Sequence, residues 1–114
     1  MNNIKLGKSG EELAQEYLVK KGYKILETNK RFSHFCEIDI IALDRGTLVF
    51  CEVKTRKTNV CGSPFEAITK TKYQNIKRGV FLYLKEHQEY KKFRIDAIAI
   101  VLKPQLEIKH LKNI

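Results

Sequence analysis

Between Leu48 and Arg56 the chain changes character. Leu48, Val49 and Phe50 form an apolar run rich in strand formers, and it continues into Cys51-Glu52-Val53-Lys54-Thr55-Arg56. Side chains alternate across a strand, so Glu52 and Lys54 point to one face. A carboxylate and an ammonium at the end of a core strand are unfavourable there unless they pair, hold a metal or meet a substrate. Any fold for this chain must place that face where charge is tolerated.

The segment upstream has a related anomaly. Glu37-Ile38-Asp39-Ile40-Ile41-Ala42-Leu43-Asp44 alternates at first and is then apolar on both faces, as a central strand is. Asp39 interrupts its isoleucines. Asp44-Arg45-Gly46-Thr47 reads as a turn into a strand over 47–54. A two-residue Arg45-Gly46 loop sets Asp39 opposite Glu52 and Glu37 opposite Lys54, with Cβ atoms about 4.5–5.5 Å apart. Carboxylates that close repel unless a cation lies between them. A three-residue loop with Gly46 left-handed slips the register by one and puts Asp39 and Glu52 on opposite faces. The sequence is compatible with both loops.

The first helix is expected over residues 8–21. Leu6, Leu13, Ala14, Tyr17 and Leu18 share one face, Ser9 and Glu12 form a capping-box pattern, and Gly22 ends the helix. Glu11 borders the apolar stripe and can look inward, whereas Glu12 lies nearly opposite it. The plainer reading is that both acids favour the helix dipole. Residues 23–29 read as an edge strand, and 30–36 as a loop in which Arg31 lies among aromatics. Those aromatics either stack on bases or tuck under the loop.

Residues 57–64 read as a loop and 65–88 as largely helical, with Phe65, Ala67 and Ile68 in a first turn or a short separate helix. Tyr73, Ile76, Val80, Tyr83 and Leu84 share a face, flanked by Lys70, Lys72, Lys77 and Arg78. These cations either contact phosphates or are a solvated face. A strand over 93–102 ends at Pro104, and 106–110 alternates like an edge strand. The order α-β-β-β-α-β-β predicts an α/β domain spanning 1–114, a mixed sheet of about five strands with a helix on each side.

Charge narrows the partners. The 114 residues carry 22 Lys and Arg against 13 Asp and Glu, a net charge of +9, which points to a polyanion, most commonly nucleic acid. No apolar stretch has the roughly 18–20 residues of a membrane span, and Met1 to Lys5 lack the apolar core of a signal peptide. A cytoplasmic protein without a membrane partner is expected. Cys36, Cys51 and Cys61 are too scattered for a disulfide framework, and the histidines too scattered for a zinc site.

Phosphodiester hydrolysis by a metal needs hard oxygen ligands for Mg²⁺ and gains from a nearby lysine. Asp39, Glu52 and Lys54, with Glu11 from the helix, would supply such a set.

These residues lie within a longer pattern. Gly10-Glu11, Gly22-Tyr23-Lys24-Ile25-Leu26, Asn29, Glu37 to Ala42, Val49 to Arg56, Pro64-x-Glu66-Ala67 and Arg94-x-Asp96 follow one another in order. The pattern resembles the bacterial YraN-like (UPF0102) family, which is similar to archaeal Holliday-junction resolvases and to the PD-(D/E)xK nuclease superfamily. Ile38 stands where the superfamily's name has proline.

The resemblance implies a restriction-endonuclease-like core and Mg²⁺-dependent cleavage of DNA, with Mn²⁺ as a substitute. It implies metal ligation by Asp39, Glu52 and Glu11, and a catalytic role for Lys54 in orienting water or stabilising charge. Glu37 would partner Lys54. Thr55, Arg56 and Lys57, with Arg31, Lys70 and Lys72, would hold the DNA backbone. Resolvase relatives act as dimers, so a homodimer is implied, and the edge strand 105–110 is a candidate for pairing. The alternative is a module of the same fold that binds nucleic acid in repair or recombination and cuts nothing.

Overall fold

The hairpin at Arg45-Gly46 fixes the centre of the molecule. Both residues are left-handed, with φ of 49° and 87°. That is the two-residue turn whose twist matches the flanking strands. The ladder then runs from Asp44 opposite Thr47 to Ile40 opposite Cys51. The two-residue alternative is therefore the one formed. The structure, a computed structural model, describes residues 8–58, 65 and 68–114.

Seven elements follow in the expected order: α1 (Gly10–Lys20), β1 (Lys24–Phe32), β2 (Cys36–Asp44), β3 (Thr47–Arg56), α2 (Lys70–Glu86), β4 (Lys92–Val101) and β5 (Glu107–Leu111). The five strands lie side by side in sequence order. β3 and β4 are parallel, with α2 between them in sequence, and the other neighbours are antiparallel. The fold is thus α/β with a mixed five-stranded sheet.

The ends of α1 are written in the sequence. Ser9 Oγ accepts the Glu12 N–H at 3.1 Å, and Glu12 Oε1 accepts the Ser9 N–H at 2.9 Å. At the other end Gly22 takes φ 94°, Tyr23 donates to the Leu18 carbonyl and Gly22 to that of Val19. These two bonds satisfy carbonyls the helix would otherwise leave open.

Each helix covers one sheet face. Leu13, Ala14 and Leu18 of α1 pack with Ile40, Ala42, Val49, Cys51, Ile98 and Ile100. Ile76, Val80 and Tyr83 of α2 pack with Ile38, Ile41, Leu48, Phe50 and Ile95. Ile38 and Ile41 face α2, whereas Ile40 and Ala42 face α1. Strict alternation along β2 therefore fails once, at Asp39. Opposite it on β1, Asn29 is left-handed with φ 51°, between the pairs Thr28–Ile40 and Lys30–Ile38.

Two boundaries differ from expectation. β1 extends through Phe32, so the expected loop 30–36 shrinks to a turn at 33–35. The reason is tertiary: Phe32 is 7% exposed and packs under α2, which keeps its stretch paired to β2. Phe35 instead lies under the Arg78 guanidinium, 4.1 Å from ring centre to Cζ. α2 begins at Lys70 rather than near 65, because Thr69 caps it by accepting the Lys72 N–H at 3.1 Å. Leu6, Asn59 to Pro64, Glu66 and Ala67, on which several expectations rest, lie outside the described residues.

Candidate active site

The ladder between β2 and β3 stops at Ile40 and Cys51, and the next bond is made by a side chain. Asp39 Oδ2 accepts the Val53 N–H at 2.8 Å. The carboxylate replaces a strand carbonyl as acceptor just where β2 changes the face it presents. Asp39 is thereby fixed beside Glu52 at the carboxyl-terminal part of β3.

Glu52 points to the α2 side, as Phe50 two residues earlier does. It is 5% exposed, one of two buried charged residues among those described, the other being Asp96. Its Oε1 is 2.7 Å from Lys72 Nζ. Its Oε2 is buried and has no hydrogen-bond partner among the described residues. A buried, unpaired carboxylate oxygen is unfavourable, since nothing replaces the water it gave up.

The field of these carboxylates is visible on Asp39. Burial, and then the negative charge of Glu52, push its carboxyl up to about 7, with Glu11 adding to the rise. The Val53 N–H and Lys72 act against that rise without cancelling it. Cys36 feels the same surroundings: burial and then Glu52 push its thiol up to about 11.

The remaining expected residues gather at the same end of the sheet. Glu11 is half-buried while Glu12 is exposed, as the helical stripe predicts. Gly10 sits tightly on β3, where a Cβ would fall 1.6 Å from Thr55 Oγ1. That contact holds the first turn of α1, and so Glu11, against the site. Lys54 is half-exposed and has no ion-pair partner among the described residues. Glu37, expected beside Lys54, pairs instead with Arg31 across β1 at 3.6 Å. The physical reason is the early end of the β2–β3 ladder, which leaves Glu37 with β1, where it lies opposite Arg31. Thr55, Lys57 and Lys70 are exposed, and Arg56 is half-buried with its Nε unpaired among the described residues.

The site is thus an oxygen-rich pair, Asp39 and Glu52, with a third carboxylate nearby and lysines around it. Among the described residues no three Asp, Glu, His or Cys side chains are gathered closely enough to hold a metal as they stand. One lysine at the acids, Lys72, was expected as a flank of α2 and a contact to the DNA backbone, not as a partner of Glu52. A cation in the first turn of a helix opposes the dipole, and that local misfit was the available signal.

A second charged cluster escaped the sequence reading almost wholly. Asp96, fully buried on β4, accepts Arg94 Nε at 3.1 Å, His110 Nε2 at 2.7 Å and the Asn113 N–H at 3.0 Å. Arg94 also donates to Tyr23 and Asp44, and His110 Nδ1 lies 3.0 Å from Tyr17 Oη. Burial alone would raise the Asp96 carboxyl, but His110, the Asn113 N–H and Arg94 together hold it below its ordinary value. The cluster ties β4 to β5, α1 and the hairpin.

Among the described residues no helix is long and apolar enough to cross a membrane. The chain is similar to proteins from several bacteria. A UPF0102 protein of Chlorobium chlorochromatii is 42% identical over 119 residues, covering 98% of this chain and 92% of that protein. One from Syntrophomonas wolfei is 41% identical over 113 residues, covering 97% of each. One from Caldicellulosiruptor saccharolyticus is 43% identical over 118 residues, covering 99% of this chain and 98% of the relative. The model of the uncharacterised protein family UPF0102 matches residues 10–100. With Gly10, Glu11, Asp39, Glu52, Lys54 and the Arg94–Asp96 pair all inside that span, the chain belongs to family UPF0102.

Proposed function

We propose that this protein is a Mg²⁺-dependent endonuclease that hydrolyses phosphodiester bonds in DNA, with branched or junction DNA as its preferred substrate. The observation that carries this reading is Glu52, a buried carboxylate with one oxygen unpartnered, beside Asp39. Hard oxygen donors left short of positive charge suit Mg²⁺ or Mn²⁺. The net charge of +9 and the resemblance to junction resolvases support DNA as the polyanion.

Asp39 and Glu52 would hold the cation, with Glu11 as a further ligand. When bound, the cation polarises the phosphate and lowers the pKa of its water. Lys54, without a carboxylate partner of its own among the described residues, orients the attacking water or stabilises charge on the phosphate. Thr55, Arg56, Lys57, Lys70 and Arg31 hold the backbone on either side.

The test is an assay of branched, single-stranded and linear DNA with Mg²⁺ or Mn²⁺. Loss of cutting in both Asp39→Ala and Lys54→Ala is expected. Undiminished cutting by both variants would sink the assignment. A second reading, a DNA-binding module that cuts nothing, is favoured by the Lys72 contact, because a lysine already sits on the acid. Tight, salt-sensitive binding without cleavage under any divalent metal would select it.

A further inference from the structure

We propose that the Lys72 ammonium holds the cation position of the carboxylate site in the free protein, and that a divalent cation exchanges with it and releases Lys72 toward a substrate phosphate. This rests on the reading that Asp39 and Glu52 hold that cation.

The contact is one-sided. Lys72 Nζ reaches Glu52 Oε1 at 2.7 Å, yet Oε2 stays buried without a partner among the described residues. A single ammonium therefore neutralises two adjacent carboxylates incompletely. A divalent cation supplies the second charge and can bind oxygens that one ammonium leaves open.

The two partners also differ in freedom. The Glu52 side chain is 6% exposed and fixed on a central strand, whereas that of Lys72 is 40% exposed. Lysine carries its charge on a flexible four-carbon stem, so it can leave while the acid stays.

Its anchor favours departure. Lys72 lies in the first turn of α2, which contains no acidic residue, and its own N–H is capped by Thr69. A cation is disfavoured at that end of a helix and an anion is favoured. A phosphate there would meet the released ammonium and the exposed Lys70 together. Lys54 has no such contact among the described residues, so the two lysines have separate tasks.

The test is calorimetric titration with Mn²⁺, without DNA, of the wild type and of Lys72→Met. Removing the competing ammonium should tighten Mn²⁺ binding roughly tenfold, while cleavage by the same variant falls. Mn²⁺ affinity equal to or weaker than wild type overturns the exchange alone. No binding by either protein overturns the metal reading, and the exchange with it. A measurement on the unaltered chain covers the case in which Lys72→Met does not fold. Acetylation of Lys72, followed by mass spectrometry, should speed up severalfold when Mg²⁺ is added, and an unchanged rate overturns the proposal.

Discussion

Asp39 accepts the Val53 N–H at the point where β2 and β3 stop pairing, so one carboxylate both ends the ladder and stands at the site. The two roles can be separated. At pH 5, Asp39→Asn keeps an oxygen for Val53 and should stay within about 1 kcal/mol of wild-type stability, while Asp39→Ala removes the acceptor and should lose about 1–3 kcal/mol. Both should abolish DNA cleavage. Urea unfolding beside a nuclease assay checks the separation.

The upward shift of Asp39 has a definite sign in stability. Its carboxyl titrates near 3.8 ordinarily and at about 7 when folded, because of burial and then Glu52. The folded state therefore holds the proton more tightly. The stability this contributes is fully present below the ordinary value and is lost as pH rises through about 7. Thermal melting of Asp39→Asn against wild type should show the variant gaining relative stability from pH 4 to 8, by several degrees. Added Mg²⁺ should raise the wild-type melting temperature more at pH 8 than at pH 5.

Gly10 allows α1 to touch β3. Its added Cβ would fall 1.6 Å from Thr55 Oγ1 and 2.9 Å from Thr55 Cβ. Gly10→Ala should destabilise by about 1–3 kcal/mol and reduce cleavage, since Glu11 is the next residue. Adding Thr55→Ala should restore part of the stability. A double-mutant cycle by chemical denaturation measures that coupling.

The Asp96 cluster should dominate stability without touching DNA. Asp96→Ala leaves Arg94 and His110 without their shared acceptor and should lose about 3–5 kcal/mol. Because the Asp96 carboxyl is held low, its contribution is present above the ordinary carboxylate value and is lost as pH falls through the lower folded one. An acid-unfolding curve of Asp96→Asn should be flatter than that of the wild type.

Much of the frame was legible because it is local. The Ser9–Glu12 box, Gly22 and the apolar stripes each act over a few residues and stand as read, whereas the Arg45-Gly46 loop was open between two lengths until the ladder fixed it. The difference between half-buried Glu11 and exposed Glu12 followed from helical spacing. What escaped depends on distant partners. Phe32 is in a strand because α2 covers it. The change of face at Asp39 coincides with left-handed Asn29 opposite, and no periodicity in either segment marks it. Lys72 and Glu52 meet only through the α2 crossover, as Asp96 and His110 meet only through β5. The Glu37–Lys54 pairing failed because it assumed a ladder that ends at Ile40.

The parallel pairing of β3 with β4 carries a consequence for how the site comes into being. Parallel neighbours cannot be closed by a tight turn, so β3 meets β4 only after the chain has crossed through α2. Residues 11 to 54 contain all four expected catalytic side chains, yet β3 is flanked by β4, and the ammonium on Glu52 comes from Lys72 of α2. The surroundings of Glu52 are thus completed by a segment that follows all four of those residues in sequence.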